Sequence, residues 1–524
     1  MQNKKNPLKV NMGNKTLAKN AGKTAFGTVL SRVLGYIRDM LVANLFGIGM
    51  SADVFYAALK IPSLFRRLFG EGSFSAAFVP VFSEYLHTKE KTETQKFLNA
   101  IFTVLLLILA VISILGICFA PVLVKLTAWG FADNPEKMQL TIELTRLMFP
   151  LILFICLAAF LLAVLNTLHS FFIPALAPAA ISFSEIFYMF IFAPAIIQEN
   201  QLKGLAVSII AGGALYFFIQ YPKLKSLGWH LKFKIDLKHP GIKKIAVLMI
   251  PSIIGLSVDQ INAFVDNICA SFLGDGPAGV LYYSNRLMQM PLAVFGLAFA
   301  TASLPAMSKA YLQKDMTALK NSLNYSIRFT VFILIPAAAG LMVIGLPIVK
   351  LLFERGKFNS FGSLMTYNTL FYYSLGLPAY AAAKIFANAF YSLQDTKTPV
   401  KIAIGAMILH VILCILLMRP MGTGGLAFAT AASSYFNLFL LVAYLKKRIG
   451  RLGLKKILLS SSKSLFASVI TGITTWNVCR ISENLFISVP ISIISGLATF
   501  AAVSYILKSE ELNSFMQFLS RKQK

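Results

Sequence analysis

Apolar residues run through this chain in long blocks separated by short polar connectors. A helix of about 20 apolar residues crosses a bilayer. On that ruler the sequence divides into about fourteen segments, at 25–48, 54–84, 99–126, 141–167, 172–197, 202–221, 243–271, 278–307, 321–347, 364–391, 399–419, 424–445, 461–481 and 485–507. No polar interval is long enough for a separate soluble domain. The pattern predicts an all-α polytopic membrane protein. Composition agrees: 57% of the 524 residues are hydrophobic and 13% charged, where a soluble domain carries about 25% charged residues.

The net charge of +28 changes the picture further. Basic residues gather in alternate connectors: Lys4 to Lys23, Lys89 to Lys96, Lys223 to Lys244, Lys309 to Lys320, Lys397 and Lys401, Lys446 to Lys456, and the tail Arg521, Lys522 and Lys524. Opposite connectors such as "GFADNPEKMQ" are short or acid-balanced. The positive-inside rule then puts both termini in the cytoplasm, which requires an even number of spans. Basic connectors also suit anionic lipid headgroups, so membrane lipids are expected partners and nucleic acid is not. The first 24 residues are polar and basic, with no cleavable signal peptide.

The chain repeats itself. "ANLFGIG" (43–49) echoes "ASFLGDG" (270–276), each followed by a Tyr-bearing segment (Tyr56, Tyr283). "TLHSFFIP" (167–174) matches "SLQDTKTP" (392–399), and "GLAVSIIAGGALY" (204–216) matches "GLAFATAASSYFN" (425–437). The offsets of 221–227 residues cover roughly six spans. An even number preserves orientation, so the repeat is parallel, about an axis along the membrane normal. The expected architecture is a basic N-terminus (1–24), an N-lobe of six helices (25–222), a basic linker (223–242), a C-lobe of six helices (243–446), two further helices (447–508) and a tail (509–524). Two-lobed membrane proteins place a site in the cleft between lobes.

Candidate chemistry lies in charges placed where lipid should exclude them. An arginine near the bilayer centre costs about 2.5–3.5 kcal/mol on insertion scales. "SRVLGYIRDMLVANLFG" (31–47) nevertheless holds Arg32, Arg38 and Asp39; the next span adds Asp53, Arg66 and Arg67. The corresponding second-half spans hold Asp259, Asp266 and Arg286. Arg32 and Arg38, six residues apart, converge only if the helix bends, and Gly35 lies between them. "RRLFGEGSFS" (66–75), Pro62, Pro251 and Pro291 suggest interrupted helices. Asp53 is also placed to cap a helix, and Arg146 and Arg328 read as interfacial anchors. Converging guanidiniums ask for an anion, and a diphosphate fits their planar fork best. The sequence has no Walker A loop, nucleophile–base pair or metal-ligand spacing. The five cysteines form no CxxC pair and read as small buried residues, and the five histidines are scattered.

Residues 31–85 and "LYYSNRLMQMPLAVFGLAFATASLPAMSKA" (281–310) closely resemble the MurJ (MviN) lipid II flippases of the MOP transporter superfamily. The resemblance implies fourteen helices around a V-shaped cavity, with a groove for the polyprenyl tail made by the last two. It carries essential cavity arginines onto Arg32, Arg38, Arg66 and Arg286, and acidic positions onto Asp39 and Asp53. Where many members have acidic residues around the eighth-span arginine, this chain has Asn285 and Gln289. Some members bind sodium through a seventh-span Asp and polar groups on the eleventh and twelfth spans. Asp266 and Thr430 occupy such positions, but the eleventh span offers His410 and Cys414, poor ligands for a hard cation.

The function so implied is translocation of undecaprenyl-diphosphate-linked peptidoglycan precursor (lipid II) from the inner to the outer leaflet of the bacterial cytoplasmic membrane by alternating access. It is a transport role with no catalytic residues, driven by the membrane potential or by sodium or proton coupling, alongside the cell-wall synthesis machinery. The alternatives at this stage are a flippase for another lipid-linked oligosaccharide and a MATE-like cation or drug antiporter. The latter would need unpaired cleft carboxylates where this chain has arginines.

Overall fold

The computed structural model describes residues 14–66 and 73–521. The described residues are helical throughout, without strands. In chain order the helices are α1 (Asn14–Phe46), α2 (Met50–Phe65), α3 (Ser73–Thr88), α4 (Lys91–Cys118), α5 (Ala120–Thr127), α6 (Pro135–Met148), α7 (Leu151–Thr167), α8 (Phe172–Leu176), α9 (Ala179–Phe187) and α10 (Gln198–Ser226). They continue as α11 (Pro240–Ser271), α12 (Pro277–Pro291), α13 (Leu297–Leu312), α14 (Met316–Val343), α15 (Gly345–Phe353), α16 (Ser360–Leu375), α17 (Leu377–Ser392), α18 (Lys397–Ile449), α19 (Leu454–Cys479), α20 (Leu485–Ile506) and α21 (Glu510–Arg521).

Among the described residues, eight helical stretches are long and apolar enough to cross a membrane. Several expected spans are divided between shorter helices, such as α16 and α17 across Gly376. Conversely, the 53-residue α18 contains non-helical backbone at Gly422 (φ 56°), so its two arms meet at a sharp kink. Pro291 does not break its span: a π turn at Leu292–Gly296 carries α12 into α13, accommodating the missing N–H and the ring clash.

The helices are inside out by the standards of a water-soluble protein. On α20, Ser488, Ser492, Gly496 and Ser504 are buried, whereas Phe486, Ile494 and Leu497 are 69%, 66% and 68% exposed. The small residues recur every four positions or multiples of four, forming one helical stripe. That stripe meets the buried Ser464, Ser468, Thr471 and Thr475 of α19. A Cβ on Gly496 would lie 2.5 Å from Thr475 Cγ2, so glycine is what permits this close approach. Small interfacial residues and large outward ones are the signature of helices solvated by lipid. The chain is an integral membrane protein.

The chain forms two compact units. The first comprises the chain through Val42, Ala57–Lys125 and Pro135–Ser257. Its core is an aromatic stack on α3, α4 and α7, in which Phe78, Phe82, Phe97 and Phe160 are fully buried; α10 packs along α7 and α9. The second comprises Ala43–Tyr56, Leu126–Asn134 and Val258–Lys524. Its core joins α13, α14, α17 and α18 around Met307, Leu323, Ile385 and Phe390.

Two pairs of repeat-equivalent positions share unusual backbone. His169 and Gln394 both have left-handed φ, 59° and 58°. Each follows a helix closed by a bond across five residues, Ser170 N–H to Leu165 O and Asp395 N–H to Phe390 O, with a second bond inside it, His169 N–H to Asn166 O and Gln394 N–H to Tyr391 O: the Schellman motif. Gly47 and Gly274 are likewise left-handed.

Candidate functional site

In the first unit, the arginine and aspartate of α1 meet a glutamate of α9. Arg38 Nη2 lies 2.9 Å from Asp39 Oδ1, and Arg38 Nη1 lies 2.8 Å from Glu185 Oε1. Both carboxylates are 1% exposed and Arg38 15%. A carboxylate withdrawn from water must find a cation or donors, and the guanidinium fork serves two at once. The cluster carries one positive and two negative groups when all are ionised. Arg38, expected as an anion ligand, is therefore held by carboxylates in this structure. Sequence reasoning missed Glu185, although it is the only acidic residue in the apolar run "AAISFSEIFYMF".

The expected bend at Gly35 is absent: α1 runs unbroken through it. Six residues on a continuous helix rotate Arg32 about 120° from Arg38. Arg32 is accordingly exposed beside the exposed Val29 and Val33, with no hydrogen-bond or ion-pair partner among the described residues. Arg66 directly follows α2 and is half-buried. Arg67 lies outside the described residues, as do Gly70, Glu71 and Gly72.

In the second unit, Asp53 is occupied by backbone. Its Oδ2 accepts the Gly276 N–H at 2.7 Å and its Oδ1 the Ala278 N–H at 2.8 Å. These donors open α12, where Gly276 is left-handed (φ 106°) and Pro277 starts the helix. Helix N-termini leave four N–H groups without intrahelical partners and carry partial positive charge, so a carboxylate 1% exposed is stabilised there. Asp53 thus caps a helix distant in sequence, not its own. Tyr56, one turn further along α2, stacks on Tyr282 of α12 with ring centroids 4.0 Å apart. The fully buried Tyr283 packs against Phe353 and Phe358. These contacts fix the helix that carries the half-buried Arg286. Asn285 accepts from Gln289 and bonds Tyr373.

Also in the second unit, an apolar cavity of about 1220 Å³ is walled by α14, α17, α18 and α19, through residues such as Val331, Ile335, Phe386, Leu438, Leu465 and Trp476. Of the last two spans, α19 supplies wall residues and α20 none of those. Below it on α14, Arg328 binds Glu510 and Glu511 of α21, so this arginine anchors the C-terminal helix.

His410 and Cys414, one turn apart on α18, meet Asp266 of α11 in space. His410 Nε2 lies 3.2 Å from Asp266 Oδ1 and 3.3 Å from Thr430 Oγ1, and Cys414 Sγ lies 3.4 Å from His410 Nε2. Of the expected sodium ligands, Asp266 therefore faces an imidazole and a thiol, and Thr430 the same imidazole. Sodium is a hard cation that takes oxygen donors. A set with one carboxylate and one hydroxyl among nitrogen and sulfur does not fit it.

A sequence model described as "Lipid II flippase MurJ" matches residues 42–495. The probable lipid II flippase MurJ of Vibrio cholerae is 35% identical over 489 residues, 91% of this chain and 93% of that protein. The lipid II flippase MurJ of Burkholderia cenocepacia is 36% identical over 425 residues, 80% of this chain and 82% of that protein. Among solved structures, "Lipid II flippase MurJ, inward closed conformation" superposes with a TM-score of 0.79 at 28% identity, covering 92% of this chain and 98% of that one. An inward-facing MATE-family multidrug transporter of the MOP superfamily shares the fold at 15% identity, with a TM-score of 0.61 over 85% of this chain and 97% of its own. With a match across most of its length, the chain belongs to the MurJ family.

Proposed function

We propose that this protein is a lipid II flippase, moving undecaprenyl-diphosphate-linked peptidoglycan precursor from the inner to the outer leaflet of the bacterial cytoplasmic membrane by alternating access. The observation that carries this reading is the family match over residues 42–495. Fourteen spans in two six-helix lobes plus two, with both termini cytoplasmic, is the architecture that goes with it; the shared left-handed turns at His169 and Gln394 support the repeat.

In this reading Arg32, Arg66, Arg67 and Arg286 are each taken as ligands for the diphosphate or the sugar head. Arg38 starts from its carboxylate cluster with Asp39 and Glu185 and exchanges a carboxylate for phosphate when substrate arrives. The apolar cavity bounded by α14, α17, α18 and α19 takes the hydrocarbon tail, since an apolar wall packs against it as lipid does and asks for no polar partner. An inside-negative potential supplies about 2.3 kcal/mol per charge per 100 mV, driving the anionic substrate outward. The donor chemistry around Asp266 and Thr430 does not support sodium coupling. Enzymes that polymerise the exported precursor are the expected functional partners.

Complementation tests the reading. Cells depleted of their own lipid II flippase should regain growth and outer-leaflet precursor when this gene is expressed, and should not regain either with Arg286→Ala. Growth without outer-leaflet lipid II, or neither despite normal expression, would refute it.

A further inference from the structure

Asp266 and Cys269 lie three apart on α11, and His410 and Cys414 four apart on the first arm of α18, so each pair shares a helix face. The faces meet. Asp266 Oδ1, His410 Nε2 and Cys414 Sγ form a triangle with edges of 3.2, 3.4 and 3.6 Å. Thr430 Oγ1, on the second arm, is 3.3 Å from His410 Nε2. His410 and Cys414 are fully buried and Asp266 is 17% exposed.

We propose that Asp266, His410 and Cys414 bind a borderline-soft divalent transition ion of the zinc class, joining α11 to α18. Zinc takes oxygen, nitrogen and thiolate donors at about 2.0–2.3 Å in a tetrahedron, and such bonds set donor–donor edges of about 3.3–3.8 Å. The observed triangle is one face of that tetrahedron. Charge balances as well: carboxylate and thiolate together neutralise a dication, with neutral imidazole as third ligand. A monovalent hard cation would leave sulfur and nitrogen poorly used. Binding releases the Cys414 thiol proton to solvent. Thr430 flanks the triangle as the source of a fourth, neutral donor. The site stands independently of the flippase reading, because it rests on donor type and spacing alone.

The experiment uses the full chain in detergent, reduced and stripped with chelator, titrated with Co²⁺ as an optical probe. The expected result is one equivalent bound, with a thiolate-to-cobalt charge-transfer band and tetrahedral ligand-field bands, displaced by Zn²⁺ and indifferent to excess Na⁺. Cys414→Ser should abolish the charge-transfer band, and His410→Asn should weaken binding by about 100-fold or more. Cys118→Ser, which alters an exposed thiol, should change nothing. Zinc-edge X-ray absorption on the wild-type protein gives a reading independent of variant folding and should show sulfur together with nitrogen or oxygen. No band at one equivalent, a band that survives Cys414→Ser, or an oxygen-only shell would overturn the proposal.

Discussion

Arg38 of α1 and Glu185 of α9 are 147 residues apart in sequence and 2.8 Å apart in space. With Asp39 they place two carboxylates and one guanidinium out of water. Removing one partner of a buried pair costs about 3–5 kcal/mol, because the remaining charge is left uncompensated. Arg38→Ala should therefore lower the melting temperature substantially. Combining Arg38→Gln with Glu185→Gln should recover part of the loss. A double-mutant cycle on thermal unfolding reads the coupling; additive effects would show that the pair does not hold α1 to α9.

Asp53 makes a prediction of a different kind. If it acts by capping α12, Asp53→Ala leaves backbone donors unmet at about 1–3 kcal/mol. Stability and transport should fall together, with Asp53→Asn milder in both. A headgroup ligand would behave otherwise: Asp53→Asn would abolish transport at unchanged melting temperature.

The apolar cavity can be filled. Ala339 lines it and is partly exposed to it. Ala339→Trp should block translocation of a long-tailed substrate while leaving membrane insertion intact, and Ala339→Ser should be nearly neutral. Equal transport by the tryptophan variant, measured as outer-leaflet precursor, would place the tail elsewhere.

The tail helix α21 carries a pH dependence. Burial alone would raise the Glu511 carboxyl, but hydrogen bonds from Ser509, Ser460 and Arg328 outweigh it and hold it below its ordinary value of 4.5. A depressed folded value means the contribution is full above the unfolded value and fades as pH falls through the folded one. Hydrogen exchange should find α21 equally protected at neutral and mildly acidic pH and loosened only below the usual carboxylate range. Glu511→Gln should loosen it at neutral pH to the level the wild type reaches in acid, and so flatten the profile.

Long apolar blocks were enough to read a helical membrane protein, because a backbone in lipid must satisfy its own hydrogen bonds. The likeness of "TLHSFFIP" to "SLQDTKTP" extends to backbone, since His169 and Gln394 adopt the same left-handed turn. Residue roles were less legible. Gly35 suggested a bend, but one glycine costs only about 1 kcal/mol in a helix interior, and α1 continues through it. Arg328 read as an interfacial anchor without a named partner, and the structure pairs it with Glu510 and Glu511 of α21.

The sequence by itself determined the solvent, the helical class and which charges stand in improbable places, since these depend on local composition and spacing. Only the tertiary structure decided what those charges touch. Arg38 with Glu185, Asp53 with Gly276, and Asp266 with Cys414 are pairs separated by 147, 223 and 148 residues. Their meeting depends on which helices pack face to face, and no local pattern encodes that.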